Sequence, residues 1–235
     1  MPIRPATYGD LVPASKLLAK AFNDEETIGG YIHPHRSEHP DEMYLFFLRA
    51  LRTSYYRGGD DHLMVAIGER TGQVTGLAHW RRMRKDEVKP SLYTKSLVKS
   101  VEAYNYLESF IHPNRAADPS RTNLIAIIEP FIEHHWSGRR AESWYLALLG
   151  VDPACEKQGD GRQLVGYGFE KAREENVGCS VVSSFGRERF YRKCGFDVVV
   201  GRVADEGGDE NPLRDVRGGT IFFWDGEDSL EGSQR

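Results

Sequence analysis

Apolar side chains along this chain switch repeatedly between helical and strand spacing, and each switch marks an element. Residues 3–6 read as a short strand. A helix start follows at Thr7 to Asp10, and Leu11, Ala14, Leu17, Leu18, Ala21 and Phe22 then recur on one helical face. A His- and Gly-rich stretch, 23–40, leads into a second helix over 41–56, with Tyr44, Phe47, Leu48 and Leu51 on one side. Residues 63–67 and 74–80, joined through Glu69-Arg70-Thr71-Gly72-Gln73, predict a β-hairpin. About sixty residues, 82–140, precede the next strand, and connections that long are usually structured and often functional. Helical patterns at 92–111 and 124–132 fill them, and helices over 95–108 and 124–134 are expected to cover the substrate side of the sheet. The apolar run 144–151 then predicts a strand, stopped by Asp152-Pro153.

The residues just after that strand carry the most chemistry. A polar loop with Gly159 and Gly161 runs into a helix built on Leu164, Val165, Phe169 and Ala172. Strand, glycine loop and helix turn several backbone N–H groups toward one point at a helix N-terminus. There the unpaired amides and the positive end of the helix dipole make an anion site. A phosphate-bearing ligand is therefore expected. A P-loop is excluded, because no Gly-x-x-x-x-Gly-Lys-Ser/Thr string exists. A dinucleotide fingerprint fits poorly, since the glycine after Gly161 is Gly166, out of register.

The string instead resembles motif A of the GNAT superfamily of acyl-CoA-dependent N-acetyltransferases, Gln/Arg-x-x-Gly-x-Gly/Ala. Here it reads Glu156-Lys157-Gln158-Gly159-Asp160-Gly161, preceded by Leu148-Leu149-Gly150-Val151-Asp152-Pro153. Downstream, Arg189-Phe190-Tyr191-Arg192-Lys193-Cys194-Gly195-Phe196 resembles the second GNAT signature, a short helix carrying Tyr and closed by Gly-Phe. About thirty residues separate Gly161 from Tyr191, room for the helix and strand the family places there. The N-terminal order of strand, two helices and hairpin is also similar. It looks most like the small-molecule GNAT enzymes of filamentous fungi, which carry a string similar to Pro34-His35-Arg36 between their first two helices. The resemblance implies one α/β domain over 1–226, with the 82–140 segment inserted before the fourth strand and an acidic tail at 227–235. Its mixed, twisted sheet would hold about seven strands, splayed at the centre, flanked by helices and ending with 220–224.

The same resemblance implies acetyl-CoA as co-substrate, a small-molecule amine as acceptor, and direct attack in a ternary complex. Lys157, Gln158, Gly159, Asp160, Gly161 and Arg162 would hold the pyrophosphate, and Leu149, Gly150 and Val151 would hydrogen-bond the pantetheine amides. Ser184 falls where many family members place an Asn that contacts the cofactor. Tyr191 aligns with the motif tyrosine and is the candidate general acid, with ring packing as the competing reading. A phenol of ordinary pKa, about 10, stays protonated at neutral pH and can donate to a departing thiolate. The base is expected among Glu142, His79, His134, His135, His33 and His35, with Glu142, just before the fourth strand, taken first. His33, His35, Trp80, Trp144 and Tyr145, with Trp136, are expected to wall the acceptor pocket, core packing being the alternative for the rings.

Two residues depart from the family pattern. Glu156 stands where Gln or Arg is preferred, and Asp160 adds a second negative charge, both opposed by Lys157 and Arg162. They favour an alternative, a catalytically silent module that binds acyl-CoA or a partner. Composition narrows the classes further. A net charge of −4 without a basic stretch argues against nucleic acid. No apolar run suits a membrane span, and no charged-then-apolar N-terminal segment suggests secretion. Cys155, Cys179 and Cys194 lack metal spacing and cannot all pair, so a reducing, cytoplasmic setting without a bound metal is expected. Neither Cys155 nor Cys194 has an evident base partner, which disfavours an acyl-cysteine route. Monomer and homodimer both stay open.

Overall fold

Period-two alternation gives the middle strands two different apolar faces, and helices cover both. In the computed structural model, which describes residues 2–86 and 89–227, the first half runs β1 (Ile3–Pro5), α1 (Leu11–Ala21), α2 (Tyr44–Arg57), β2 (Asp61–Ile67) and β3 (Val74–Met83). Then come α3 (Leu92–Ile111), α4 (Leu124–Ile132), β4 (Ser143–Val151), α5 (Asp160–Glu175), β5 (Gly178–Ser183), α6 (Glu188–Cys194), β6 (Val198–Arg202) and β7 (Thr220–Trp224). Single-turn helices and one π-helical segment, Glu26–Ile32, join them. The strands form one mixed sheet ordered β1-β2-β3-β4-β5-β7-β6. Every neighbouring pair is antiparallel except β4 and β5, which α5 connects by a crossover. The tail expected at 227–235 lies, beyond Glu227, outside the described residues.

One sheet face presents Leu63, Val65 and Leu77 to Leu11, Leu18, Phe47 and Leu51 of α1 and α2. The other presents Met64, Ala78, Trp80, Trp144 and Leu146 to Leu164, Val165 and Phe169 of α5. A third cluster, with Leu124, Ile128, Ile221 and Phe223, seats α4 against β7. The segment between β3 and β4 does hold two helices, but only α4 reaches the sheet's apolar face. α3 docks on the outside of α2, where Arg52 Nη1 donates to Glu108 at 2.8 Å and Asn105 Nδ2 donates to the Arg49 carbonyl at 3.1 Å. Asn105 is the one buried residue of α3, and that helix packs on α2 rather than on the sheet. No helix among the described residues is long and apolar enough to cross a membrane.

Candidate active site

The slot begins with one extra residue. Trp80 on β3 pairs with Leu146 on β4, but His79 pairs with Leu148, so Ala147 has no opposite number. Such a bulge bends its strand and increases the local twist. The pairing of β4 with β5 stops at the same point: Ser143 to Leu146 match Gly178 to Val181, and no further. Beyond it β4 stays on β3 as far as Val151, and β5 stays on β7 as far as Ser183. The facing edges of the two strands thus lose their ladder midway along the sheet. Unpaired backbone groups of this kind need a partner, and a ligand carrying amides can supply one.

At the open end stands the N-terminus of α5. Gly159, at φ +98°, turns the chain into the helix through the left-handed region, which glycine enters at no steric cost. Gln163 N–H makes the first helical bond, to the Gly159 carbonyl at 3.0 Å, leaving the amides of Asp160, Gly161 and Arg162 as the first turn's orphan donors. A Cβ on Gly161 would sit 3.4 Å from both Val151 and Phe190, so this position faces the slot between β4 and α6. Lys157 and Arg162 are exposed and make no ion pair among the described residues.

Asp160 does not act as the loop charge that its position suggests. Its side chain is buried and turned to β3, where Thr75 Oγ1 donates to Oδ2 at 2.7 Å. Asp160 Oδ1 has no partner among the described residues, so Thr75 is the anchor of this carboxylate. Thr75→Val keeps the shape and removes the donor, and is expected to lower unfolding stability in denaturant titrations by about 2 kcal/mol. Glu156 is likewise answered: Arg187, at the start of α6, approaches it to 3.5 Å. Both groups are largely exposed, so the pair adds little stability, but it balances the carboxylate at the mouth of the slot.

On the α6 side, the Tyr191 ring packs against Phe190 and Phe196, and its hydroxyl makes no hydrogen bond among the described residues. Burial foremost, with Cys194 beside it, pushes the phenol pKa well above its ordinary value. The phenol is held in the apolar layer that α5 and α6 share. Ser184 follows β5 directly, and its carbonyl accepts from Arg187 N–H in the turn into α6.

Sequence comparison decides what this geometry belongs to. Residues 31–196 match the model of the acetyltransferase (GNAT) family. The chain belongs to the GNAT acetyltransferase family. The fold agrees. A structure described as histone acetyltransferase HPA2 and related acetyltransferase, from Corynebacterium glutamicum, superposes with a TM-score of 0.56 at 18% identity, covering 95% of each chain. An agmatine N-acetyltransferase in its apo form gives 0.53 at 14% identity over 95% of this chain and 98% of its own. The Drosophila melanogaster polyamine N-acetyltransferase gives 0.53 at 15% identity over 95% and 99%. No curated protein matches the sequence significantly.

Several residues expected to line the acceptor pocket of this GNAT protein are elsewhere. Trp80 is fully buried on the α5 face, its Nε1 donating to the Leu164 carbonyl at 2.9 Å. Trp144 is buried on the same face, bonded to Glu175 and edge-on to His62. Both rings are core, because even-numbered positions before the bulge point to α5. His33 is sealed between the Ile28 carbonyl at 2.7 Å, Asn114 and Phe46, and burial lowers its pKa. It holds the π-helical segment together. His35 lies exposed near Glu38.

Glu142, the base candidate named first, is engaged elsewhere. It directly precedes the end of β4 that pairs with β5, and its carboxylate is taken by Arg82 Nη2 and by the Lys85 N–H at 2.8 Å. That backbone bond, with Arg82, holds its pKa below the usual range. It is the counter-ion of Arg82.

On the α1/α2 face, by contrast, the acetyltransferase carries another of the named base candidates, held in one orientation by a carboxylate. His79 lies opposite Leu148, one step from the bulge, and its Nε2 is 2.6 Å from Asp61 Oδ1. Asp61 is almost wholly buried; burial alone would raise its pKa, but His79, Arg57 and Arg81 keep it lowered. The carboxylate can only accept, so in the neutral ring Nε2–H donates to it and the Nδ1 lone pair is left free. The sequence signal existed: hairpin register puts Leu63 opposite His79, and Asp61 is then its diagonal neighbour on the same face. Tyr145 shares this face, edge-on to Trp136 at 5.7 Å, with its pKa pushed up to about 12 by burial and by Glu129 on α4.

Proposed function

We propose that this protein moves the acetyl group of acetyl-CoA to the amine of a small molecule, by direct attack within a ternary complex. One observation carries the reading: the bulge at Ala147 opens β4 from β5 directly beneath the orphan amides of α5. Pantetheine amides would lie along the edge Leu149, Gly150 and Val151, and the pyrophosphate on the amides of 157–162. Ser184 would reach the same chain from the β5 side. The acceptor would enter on the α1/α2 face, beside Tyr145 and Trp136, with the Glu129 carboxylate attracting a cationic amine. His35, in the loop before α2, would edge that entrance. Structural neighbours described as agmatine and polyamine acetyltransferases support an amine acceptor of this kind. The likeness to fungal small-molecule enzymes rests on Pro34-His35-Arg36.

In the reaction, the neutral amine attacks the thioester carbonyl carbon. The C–S bond breaks, the Tyr191 phenol protonates the thiolate, and the proton shed by the amine passes to His79. Cys194 and Cys179 take no covalent part: burial pushes the Cys194 thiol up to about 11 and Cys179 higher still. We take 1–226 as one acetyltransferase domain, and the three unpaired cysteines favour a reducing, cytoplasmic setting. The test is acetyl-CoA-dependent thiol release across a panel of polyamines, arylalkylamines and amino acids. Turnover with at least one amine is expected, and acetyl-CoA binding without turnover on any of them would favour the silent module. His79→Ala is expected to lose about 100-fold in kcat at neutral pH and to recover as pH approaches the amine's own pKa, where less base is needed. A rate loss independent of pH would remove His79 from the base role.

A further inference from the structure

We propose a divalent-metal site formed by His134, His135 and Glu206, away from the cofactor slot. The two histidines sit on the single-turn helix Glu133–Trp136 that continues α4, and Glu206 follows the single-turn helix Val203–Asp205 after β6. Their donor atoms all lie within 4.8 Å of one another. His135 Nε2 is 3.0 Å from Glu206 Oε1, and His134 Nε2 is 4.0 Å from the same oxygen. Two imidazoles and a carboxylate suit a borderline cation such as Zn²⁺, with a further position open to water.

Ring orientation points the same way. His134 Nδ1 is 3.1 Å from the Phe131 carbonyl, which can only accept. The proton of the neutral ring therefore sits on Nδ1, and Nε2 turns a lone pair toward the Glu206 oxygen, another acceptor. Only a cation can join two facing acceptors, either a metal ion or the second proton of a charged imidazole, and the metal titration below distinguishes the two. A carbonyl bonded to the second ring nitrogen is also the usual support of a metal-ligating histidine. Space is kept by Gly201 on β6: a Cβ there would lie 3.3 Å from His135 Nε2 and 3.4 Å from Glu206 Oε1. Bonds of about 2.0–2.2 Å place tetrahedral ligands roughly 3.3–3.6 Å apart, so the hydrogen-bonded His135–Glu206 pair at 3.0 Å has to open, and the exposed His134 at 4.0 Å to close, by only a few tenths of an ångström.

A metal here would clamp the end of α4 to the segment after β6. The next residue is Trp136, whose Nε1 donates to Ser180 Oγ at 2.9 Å and whose ring meets Tyr145. The clamp would thus fix one wall of the acceptor face without touching the reacting atoms.

The test uses the full chain, tag removed and stripped with chelator. Zn²⁺ is titrated by calorimetry, and Co²⁺ by its visible ligand-field bands. One ion per chain is expected to bind with micromolar affinity or better and to raise the melting temperature. His134→Ala, His135→Ala and Glu206→Gln should each weaken binding at least tenfold, in line with the roughly 10–100-fold lost even with outer-shell partners. His39→Ala, which removes a histidine beside Glu42, should leave binding intact. His134 is exposed, so its alanine variant folds and reports on the metal alone. Absence of binding by the folded parent, or binding as tight as the parent's in both His134→Ala and His135→Ala, would overturn the site.

Discussion

Gly161→Glu is expected to abolish acetyl-CoA binding at concentrations that saturate the parent, a loss of at least 100-fold or about 2.7 kcal/mol. The side chain would project between Val151 and Phe190, into the mouth of the slot, within reach of the orphan amides of α5. There the new carboxylate would occupy the anion site itself, accepting the bonds that a pyrophosphate needs and repelling its charge. The fold should survive, since an acid in a helix's first turn is favourable and a Cβ meets its neighbours only at 3.4 Å. Gly161→Ala supplies the control, filling the same position without charge. Calorimetry on both variants separates the causes. Equal losses would mean that bulk decides, and an unchanged affinity for Gly161→Glu would place the cofactor elsewhere.

Tyr191→Phe is expected to cut kcat by about 100- to 1,000-fold while KM for acetyl-CoA changes little, because only the proton donor disappears. The ring contacts with Phe190 and Phe196 persist in the variant. The hydroxyl makes no hydrogen bond among the described residues, so its loss leaves no buried partner stranded and melting should not fall. A tyrosine that served packing alone would show the reverse, unchanged kcat at unchanged stability. The pH dependence adds a check with a defined sign. Burial raises the phenol pKa, so the acid form survives past the ordinary phenol value of about 10, and Tyr191 should impose no alkaline limb below that pH. Single-turnover thiol release measures the chemical step directly.

Local rules made most of the elements legible. Spacing alone fixed α3 and α4, since their apolar periodicity needs no partner to be seen, and Asp152-Pro153 marked the end of β4. The glycine loop and the Tyr191 helix were legible because their chemistry is written in contiguous residues: a left-handed turn at Gly159, orphan amides after it, and a helix closed by Gly195 at φ +114°. β6 and the π-helical segment escaped notice, being short and without clear period.

Chain order could not decide which face a side chain takes. Trp80, Trp144 and Tyr145 look alike in sequence, yet the two tryptophans enter the core beneath α5 and Tyr145 the opposite face. Ala147 then shifts the register, so that Leu148 shares a face with His79. Asp160 and Glu156 looked like like-signed intruders at the anion site, and partners distant in sequence, Thr75 and Arg187, gave them different work. Glu142 looked free until Arg82 took it. The family, the order of elements and the glycine turn into α5 were readable from the chain alone, because those depend on neighbours within a few residues. Burial, counter-ions and the His79–Asp61 pair had to wait for tertiary packing, because each depends on which strand lies alongside and on where one bulge interrupts the alternation.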